Sequence, residues 1–434
     1  MRSRVAWLAL LGGSIIAACS SSGGNQADNG PGDGGDSGSA QDATSSSGGD
    51  GAALDGPGDD AAGHDAAGAV DGPAAESGGS DGGDSGARDS GLVEAASPGD
   101  GASSDGPTEA ASSDSGSPVD SGAADGGDAG LLQCGSILEF PLAGIKGPYA
   151  IVTGPDGNLW FTEAAGSAVG QMTAGGTLLH EFVDPSLNSG ALGIAKGPDG
   201  NLWYIEPLAY DIVRLTTAGA GKEFLDPTPA STPEHITAGP DGNLWYTESH
   251  YDHVNRITPA GVITLFSVSQ NSQPFGITAG PDGNVWFAEI HGNQVGKITP
   301  SGVVTEYPVP TTGAYPFYIT TGPDGAIWFS EYQGNQIGRV TLAGTFQEFS
   351  VPTAASNPCG ITSGPDGNLW FTETSGNNVA RMTTSGAVQE FPIPTPFSKP
   401  QGITVGPDGN LWFVEQNTSK IGVLVRAGCS GDGG

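Results

Sequence analysis

The chain has 434 residues, 74 of them glycine, and a formal charge of −34 from 48 acidic and 14 basic side chains. Charge of that sign argues against binding nucleic acid, which needs a basic footprint.

The N-terminus reads as an export signal. Arg2 and Arg4 precede an apolar stretch, Val5 to Ala17, too short to span a bilayer comfortably. It ends in Ile16-Ala17-Ala18-Cys19, which resembles the lipobox of bacterial lipoproteins. The resemblance implies that residues 1–18 are removed, that Cys19 carries lipid, and that the protein is exported and anchored to the cell envelope. Ser20 after the cysteine points to the outer membrane by analogy with other lipoproteins. The membrane is then touched through the lipid alone.

Residues 19–133 form a Gly/Ser/Ala/Asp tract with no Phe, Trp or Tyr. Residues 20–130 hold 22 acids and one base, Arg88. Such a segment has nothing to bury and repels itself, so a disordered acidic tether is expected. As a coil it spans roughly 60 Å on average. Its Asp-Gly runs lack the bidentate glutamate that closes a calcium loop. The signal accounts for +2 and the tether for −21, which leaves −15 on the remainder.

From residue 134 onward the chain repeats. Trp160, Trp203, Trp245, Trp286, Trp328, Trp370 and Trp412 recur at intervals of 41–43 residues. Each follows a Gly-Pro-Asp-Gly turn and precedes a glutamate by three positions. One unit, residues 316–349, reads as four short strands separated by turns. Units of that length with four antiparallel strands predict an all-β, seven-bladed propeller over residues 134–429, with a short disordered tail at 430–434. An open solenoid is the rival, but it leaves sheet edges that call for capping repeats.

The last unit lacks a fourth strand. Ser136 to Phe140, with its Leu-Glu-Phe, matches the missing pattern, as in Gln347-Glu348-Phe349. The first strand should therefore complete the last blade. Cys134 and Cys429 flank that junction and predict a disulfide. Cys359 is left as a free thiol.

Topology gathers candidate residues on the face opposite the Gly-Pro-Asp-Gly turns. The position entering each first strand varies: Tyr149, Leu192, Glu234, Phe275, Phe317, Cys359, Gln401. These residues either contact a ligand or fill the channel mouth; Tyr149, Glu234, Phe275, Phe317, Cys359 and Gln401 are the ligand-binding candidates. The second-strand glutamates (Glu163, Glu206, Glu248, Glu289, Glu331, Glu373 and Glu415) occur in every unit. They read as structural acceptors or as a carboxylate ring for a cation. His235, His250, His253 and His291 fall on one face of two neighbouring units, with Glu234, Glu248, Asp252 and Glu289. They read as a divalent-metal or acid–base site, or as loop histidines without a role.

The repeated Gly-Pro-Asp-Gly-Asn-Leu-Trp-Phe-Thr-Glu, the Gly-Asn-x-Ile/Val-Gly-x-Ile-Thr and the Glu-Phe-x-Ile/Val-Pro resemble the virginiamycin B lyase (streptogramin lyase) family over residues 136–428. The resemblance implies elimination at the ester bond of a cyclic depsipeptide antibiotic, with Mg2+ or another divalent metal and a histidine base. The family's histidines follow proline at the start of the last two blades; here those positions hold Cys359 and Gln401. An acidic metal ligand becomes Lys399, and a second ligand maps to Glu415, or in another alignment to Gln416. Tyr149 matches a family tyrosine. With no catalytic position retained, the chain reads as a monomeric, envelope-anchored binding or scaffold module for a peptide, glycan or small molecule. The alternative is a streptogramin B-opening or related carbon–oxygen lyase whose metal site has moved.

Overall fold

The computed structural model describes residues 135–183 and 189–426. The expected signal, the Cys19 lipidation site, the tether, Cys134, Cys429 and the tail lie outside the described residues. The described part is a ring of seven four-stranded antiparallel sheets. Blade 5 is representative: Pro316–Thr321, Ile327–Glu331, Gln336–Val340 and Phe346–Ser350 run from the axis outward. Together they fill the unit read from the sequence at residues 316–349, with one residue more at its end. Blade 3 departs most, with a fourth strand of only two residues, Ile263–Thr264.

The second strands are buried at every position, as in Leu-Trp-Phe-Thr-Glu of blade 1. They lie inside a stack of sheets and so lose the in–out alternation of a half-wet strand. Fourth strands are partly open to solvent: in Phe-Gln-Glu-Phe-Ser, Gln347 and Ser350 are exposed and the other three half-buried. Each second-strand tryptophan stacks on a fourth-strand aromatic, as Trp328 does on Phe349 with centroids 5.5 Å apart.

The repeated turn is tied to that tryptophan. Gly325 takes φ +72, a conformation open to glycine. Asp324 Oδ1 then accepts from Ala326 N at 3.2 Å and Trp328 Nε1 at 2.9 Å. All seven turns make the same indole contact, from 2.9 to 3.1 Å. The turn aspartates therefore anchor the core as well as shape the turn.

The ring closes as expected. Ile137–Pro141 pairs with Lys420–Leu424 in the last blade, Ile137 opposite Leu424 and Phe140 opposite Ile421. Gly135 N donates to Val425 O at 2.9 Å, and Val425 N to Ser136 O at 2.8 Å. Neighbouring blades are stitched by second-strand hydroxyls: Thr162, Thr247 and Thr372 each donate at 2.6 Å to a carbonyl in, or just before, the next blade's first strand. Around the axis the first strands approach closely. A Cβ on Gly276 would lie 2.3 Å from Phe317 O, so that strand crossing requires glycine.

Candidate functional site

One face of the ring carries the Gly-Pro-Asp-Gly turns. The opposite face, called the top, carries the proline that starts each first strand, the glutamate that ends each second strand and the loops between blades. In blade 5 Pro316 and Glu331 are register partners, with a bulge directly after the proline. The bulge re-aims the next residue toward the axis.

The six ligand-binding candidates are all buried: Phe275, Cys359 and Gln401 at 0%, Tyr149, Glu234 and Phe317 at 2%. Phe275 stacks on Phe317 at 4.2 Å. Tyr149, Leu192, Phe275, Phe317 and Cys359 belong to a single apolar cluster. In this structure these apolar residues close the mouth of the channel and do not line an open cavity, because their inward-aimed side chains meet at a narrow axis. Glu234 turns aside to accept from Ser249 Oγ at 2.7 Å. Burial pushes its carboxyl up to about 8, the Ser249 bond opposing and Glu248 adding.

The four histidines are not brought together. His235 is buried at the axis, 4.6 Å from the Phe275 ring and 4.7 Å from Tyr318. Its Nε2 has no hydrogen-bond partner, and burial depresses it to about 3. It is a neutral channel filler. His253 sits with Nδ1 3.5 Å from Glu248 Oε2. His250 and His291 are exposed and pack edge-on against Tyr251 and Tyr315. Among the described residues no group of three His, Cys, Asp or Glu side chains could hold a metal.

At the position that the family resemblance assigns to the base, Gln401 is locked into amide hydrogen bonds. Cys359 Sγ donates to Gln401 Oε1 at 3.0 Å, and Gln401 Nε2 donates to Gln416 Oε1 at 3.4 Å. Neither an amide nor this buried, donating thiol offers a basic lone pair near neutral pH. The magnesium that the family implies does not fit these donors. Lys399 brings an ammonium. Glu415 is fully buried and accepts from Thr418 Oγ1 at 2.9 Å, and burial, with Glu139 nearby, pushes it up to about 7. A divalent cation needs several charged oxygens here, and beside the one carboxyl of Glu415 the residues supply an ammonium and amides.

The second-strand glutamates divide. In blades 1 to 3 they accept from their own blade's leading loop: Lys146 N to Glu163, Ser189 Oγ to Glu206, Thr232 N to Glu248. In blades 4 and 5 both oxygens of Glu289 and Glu331 lack a partner. Burial, then the fourth-strand carboxyls Glu306 and Glu348, push each up to about 8. The sequence reading missed this pairing of second- and fourth-strand acids, although the repeated Gln-Glu-Phe was its signal. It also missed Phe397, which stands 81% exposed on the top face with φ +57.

The virginiamycin B lyase family model matches residues 124–271 and 188–430. A streptogramin B lyase structure is similar at 36% identity and TM-score 0.64, over 67% of this chain and 97% of that one. A catalytically inactive histidine-to-alanine variant of the virginiamycin B lyase of Staphylococcus aureus, with quinupristin, is similar at 35% identity and TM-score 0.64, over 66% and 98%. The Kuenenia stuttgartiensis hydrazine synthase, at 15% identity and TM-score 0.56 over 70% of this chain and 99% of that one, shares the fold alone. No curated protein matches the chain in sequence.

Proposed function

Since the chain belongs to the virginiamycin B lyase family, we propose that it is a binding propeller that recognises a cyclic peptide or related ligand on its top face without opening it. The observation that carries this reading is Gln401, hydrogen-bonded on both sides where the family places its base. Ring opening by elimination requires a base to take the proton next to a carbonyl while the ester C–O bond breaks and a carboxylate leaves. Nothing at Gln401 takes that proton. With the mouth closed by Tyr149, Phe275 and Phe317, contact falls to the rim, where Phe397 and Tyr251 are exposed.

Quinupristin is the probe. The full-length protein is titrated with it by calorimetry, then incubated and chromatographed. Elimination adds no water, so an opened product has an unchanged mass and a new retention time. Binding with no new peak supports the reading; a time-dependent isomer peak overturns it. The lyase reading is favoured by the 35–36% identity to lyase structures across nearly their whole length, and the same chromatogram decides it.

The motif Ile16-Ala17-Ala18-Cys19 supports an exported lipoprotein in the envelope. Cys19→Ser should move the protein from the membrane fraction to the soluble one; retention in the membrane fraction argues against the lipid anchor.

A further inference from the structure

Blade 4 contains a cluster of oxygens in which those of Glu289, Gln294 and Ser272 are buried with no hydrogen donated to them. Glu289 ends its second strand at 0% exposure, and neither carboxylate oxygen has a hydrogen-bond partner. Gln294, its register partner on the third strand, buries Oε1 without a partner. Ser272, from the loop leading into the blade, is wholly buried, and its Oγ is also unpartnered. That hydroxyl points toward Glu289 and falls short of a hydrogen bond. A Cβ on Gly292 would stand 3.1 Å from Ser272 Cβ and 3.3 Å from Glu289 Cβ, so its absence leaves room between them. Glu306 of the fourth strand closes the other side, held by Ser269 N at 2.8 Å and by Ser269 Oγ. None of the ion pairs among the described residues reaches Glu289 or Glu306.

Blade 7 shows what the same arrangement holds when a cation is present. Glu415 and Glu139 occupy the positions of Glu289 and Glu306, and Glu139 is held by Thr395 N and Oγ1 as Glu306 is by Ser269. The residue paired with Glu415 is Lys420, where blade 4 has Gln294. Its ammonium lies 3.2 Å from Glu139 Oε2 and donates to Thr395 Oγ1. Other blades disperse the cluster. In blade 5 Ala314 replaces the serine, and Gln336 Nε2 turns to Thr311 Oγ1 at 3.0 Å. In blade 6 Asn378 Nδ2 donates to Glu373 Oε2 at 3.0 Å. The loop between the second and third strands of the preceding blade has asparagine at positions 293, 335 and 377 ahead of blades 5 to 7, but Asp252 ahead of blade 4. That aspartate adds a further negative charge at the boundary.

We propose that Glu289, Glu306, Gln294 and Ser272 bind one hard cation of the calcium class, at the place the Lys420 ammonium takes in blade 7. The donors are two carboxylates, an amide carbonyl and a hydroxyl. Hard cations take such all-oxygen sets, and the absence of imidazole and thiolate among them disfavours zinc or copper. Their irregular placement suits calcium better than the strict octahedron of magnesium. The ion would tie the loop carrying Ser272 to blade 4. This site lies apart from the family's magnesium position in the last blade.

The test uses the full-length, chelator-treated protein and Ca2+ alone. A site of millimolar affinity should raise Tm by about 2–4 °C at about 10 mM Ca2+. Equilibrium dialysis of the wild type should show one equivalent more Ca2+ than Glu289→Gln or Gln294→Lys, which cancels weak binding by the acidic N-terminal tract. Gln294→Lys supplies its own ammonium and should be more stable than wild type without calcium and indifferent to its addition. Should Glu289→Gln not fold, the Gln294→Lys comparison stands alone. A wild-type Tm indifferent to Ca2+, or equal Ca2+ binding by wild type and Gln294→Lys, overturns the proposal and leaves a shared proton or a water in the pocket.

Discussion

The two ends of the ring follow opposite rules. At the turn end seven aspartates hold seven indoles within 0.2 Å of one another in distance. At the top end no two blades present the same set of side chains, and buried carboxyls stand without partners in blades 4 and 5. Uniformity at one end makes the scaffold; the other end is free to differ because each blade is already held below. Chemistry belongs where the repeat is broken.

If that division is right, damage at the turn end costs most. The two ends of the described propeller, Gly135 and Val425, meet at that end. A Cys134–Cys429 disulfide there would close a loop of roughly 300 residues and stabilise by about 5 kcal/mol in the entropy model. Urea unfolding with and without reductant measures it; coincident curves would leave closure to the strand alone. Trp328→Ala removes a fully buried indole, its stack on Phe349 and its bond to Asp324. We expect a loss of about 3–5 kcal/mol by urea unfolding, and a loss below about 1 kcal/mol would break the comparison.

The two ends also titrate in opposite senses. Burial works against the turn aspartates, but the indole N–H and the turn's own donors outweigh it, so Asp156, Asp199, Asp241, Asp282, Asp324 and Asp366 lie below the usual range. Their contribution is present above pH 3.8 and is lost as pH falls through the lowered values. The top glutamates are raised, chiefly by burial: Glu163 and Glu415 to about 7, Glu289, Glu331 and Glu373 to about 8. Their folded forms hold protons that the unfolded chain has released, so stability falls as pH rises from 4.5 toward 8. Tm measured against pH should therefore peak near the low end of that window, and Glu331→Gln should flatten the alkaline limb. A Tm that climbs from pH 5 to 8 would contradict the burial of these acids. The smallest effect is expected at Phe397, whose ring is exposed and whose backbone is left-handed. Phe397→Gly should change stability by less than about 1 kcal/mol, while weakening any quinupristin binding found.

Much of the scaffold was legible in the sequence because it is repeated. The tryptophan interval, the Gly-Pro-Asp-Gly turn and the stray Leu-Glu-Phe at residues 138–140 each announced a strand or its partner. The site was less legible, since its chemistry depends on distances between repeats. His235, His250, His253 and His291 share a face by topology, yet one points to the axis and two point to solvent. The mouth residues could be named but not their closure, because Phe275 meeting Phe317 depends on how tightly the first strands converge. The pairing of Glu289 with Glu306 joins strands 17 positions apart across a third. Its one linear trace is the acid repeated in the fourth strands, which does not say what that acid faces.

A ring completed by its own first strand sets an order of events during biosynthesis. Ile137 to Pro141 emerges early and waits for Lys420 to Leu424, the last strand among the described residues. Until then blade 7 offers bare backbone amides on an open margin, and the protein is most exposed to pairing with another copy of itself. Truncation by even these few C-terminal residues should therefore harm solubility far more than their share of the mass suggests.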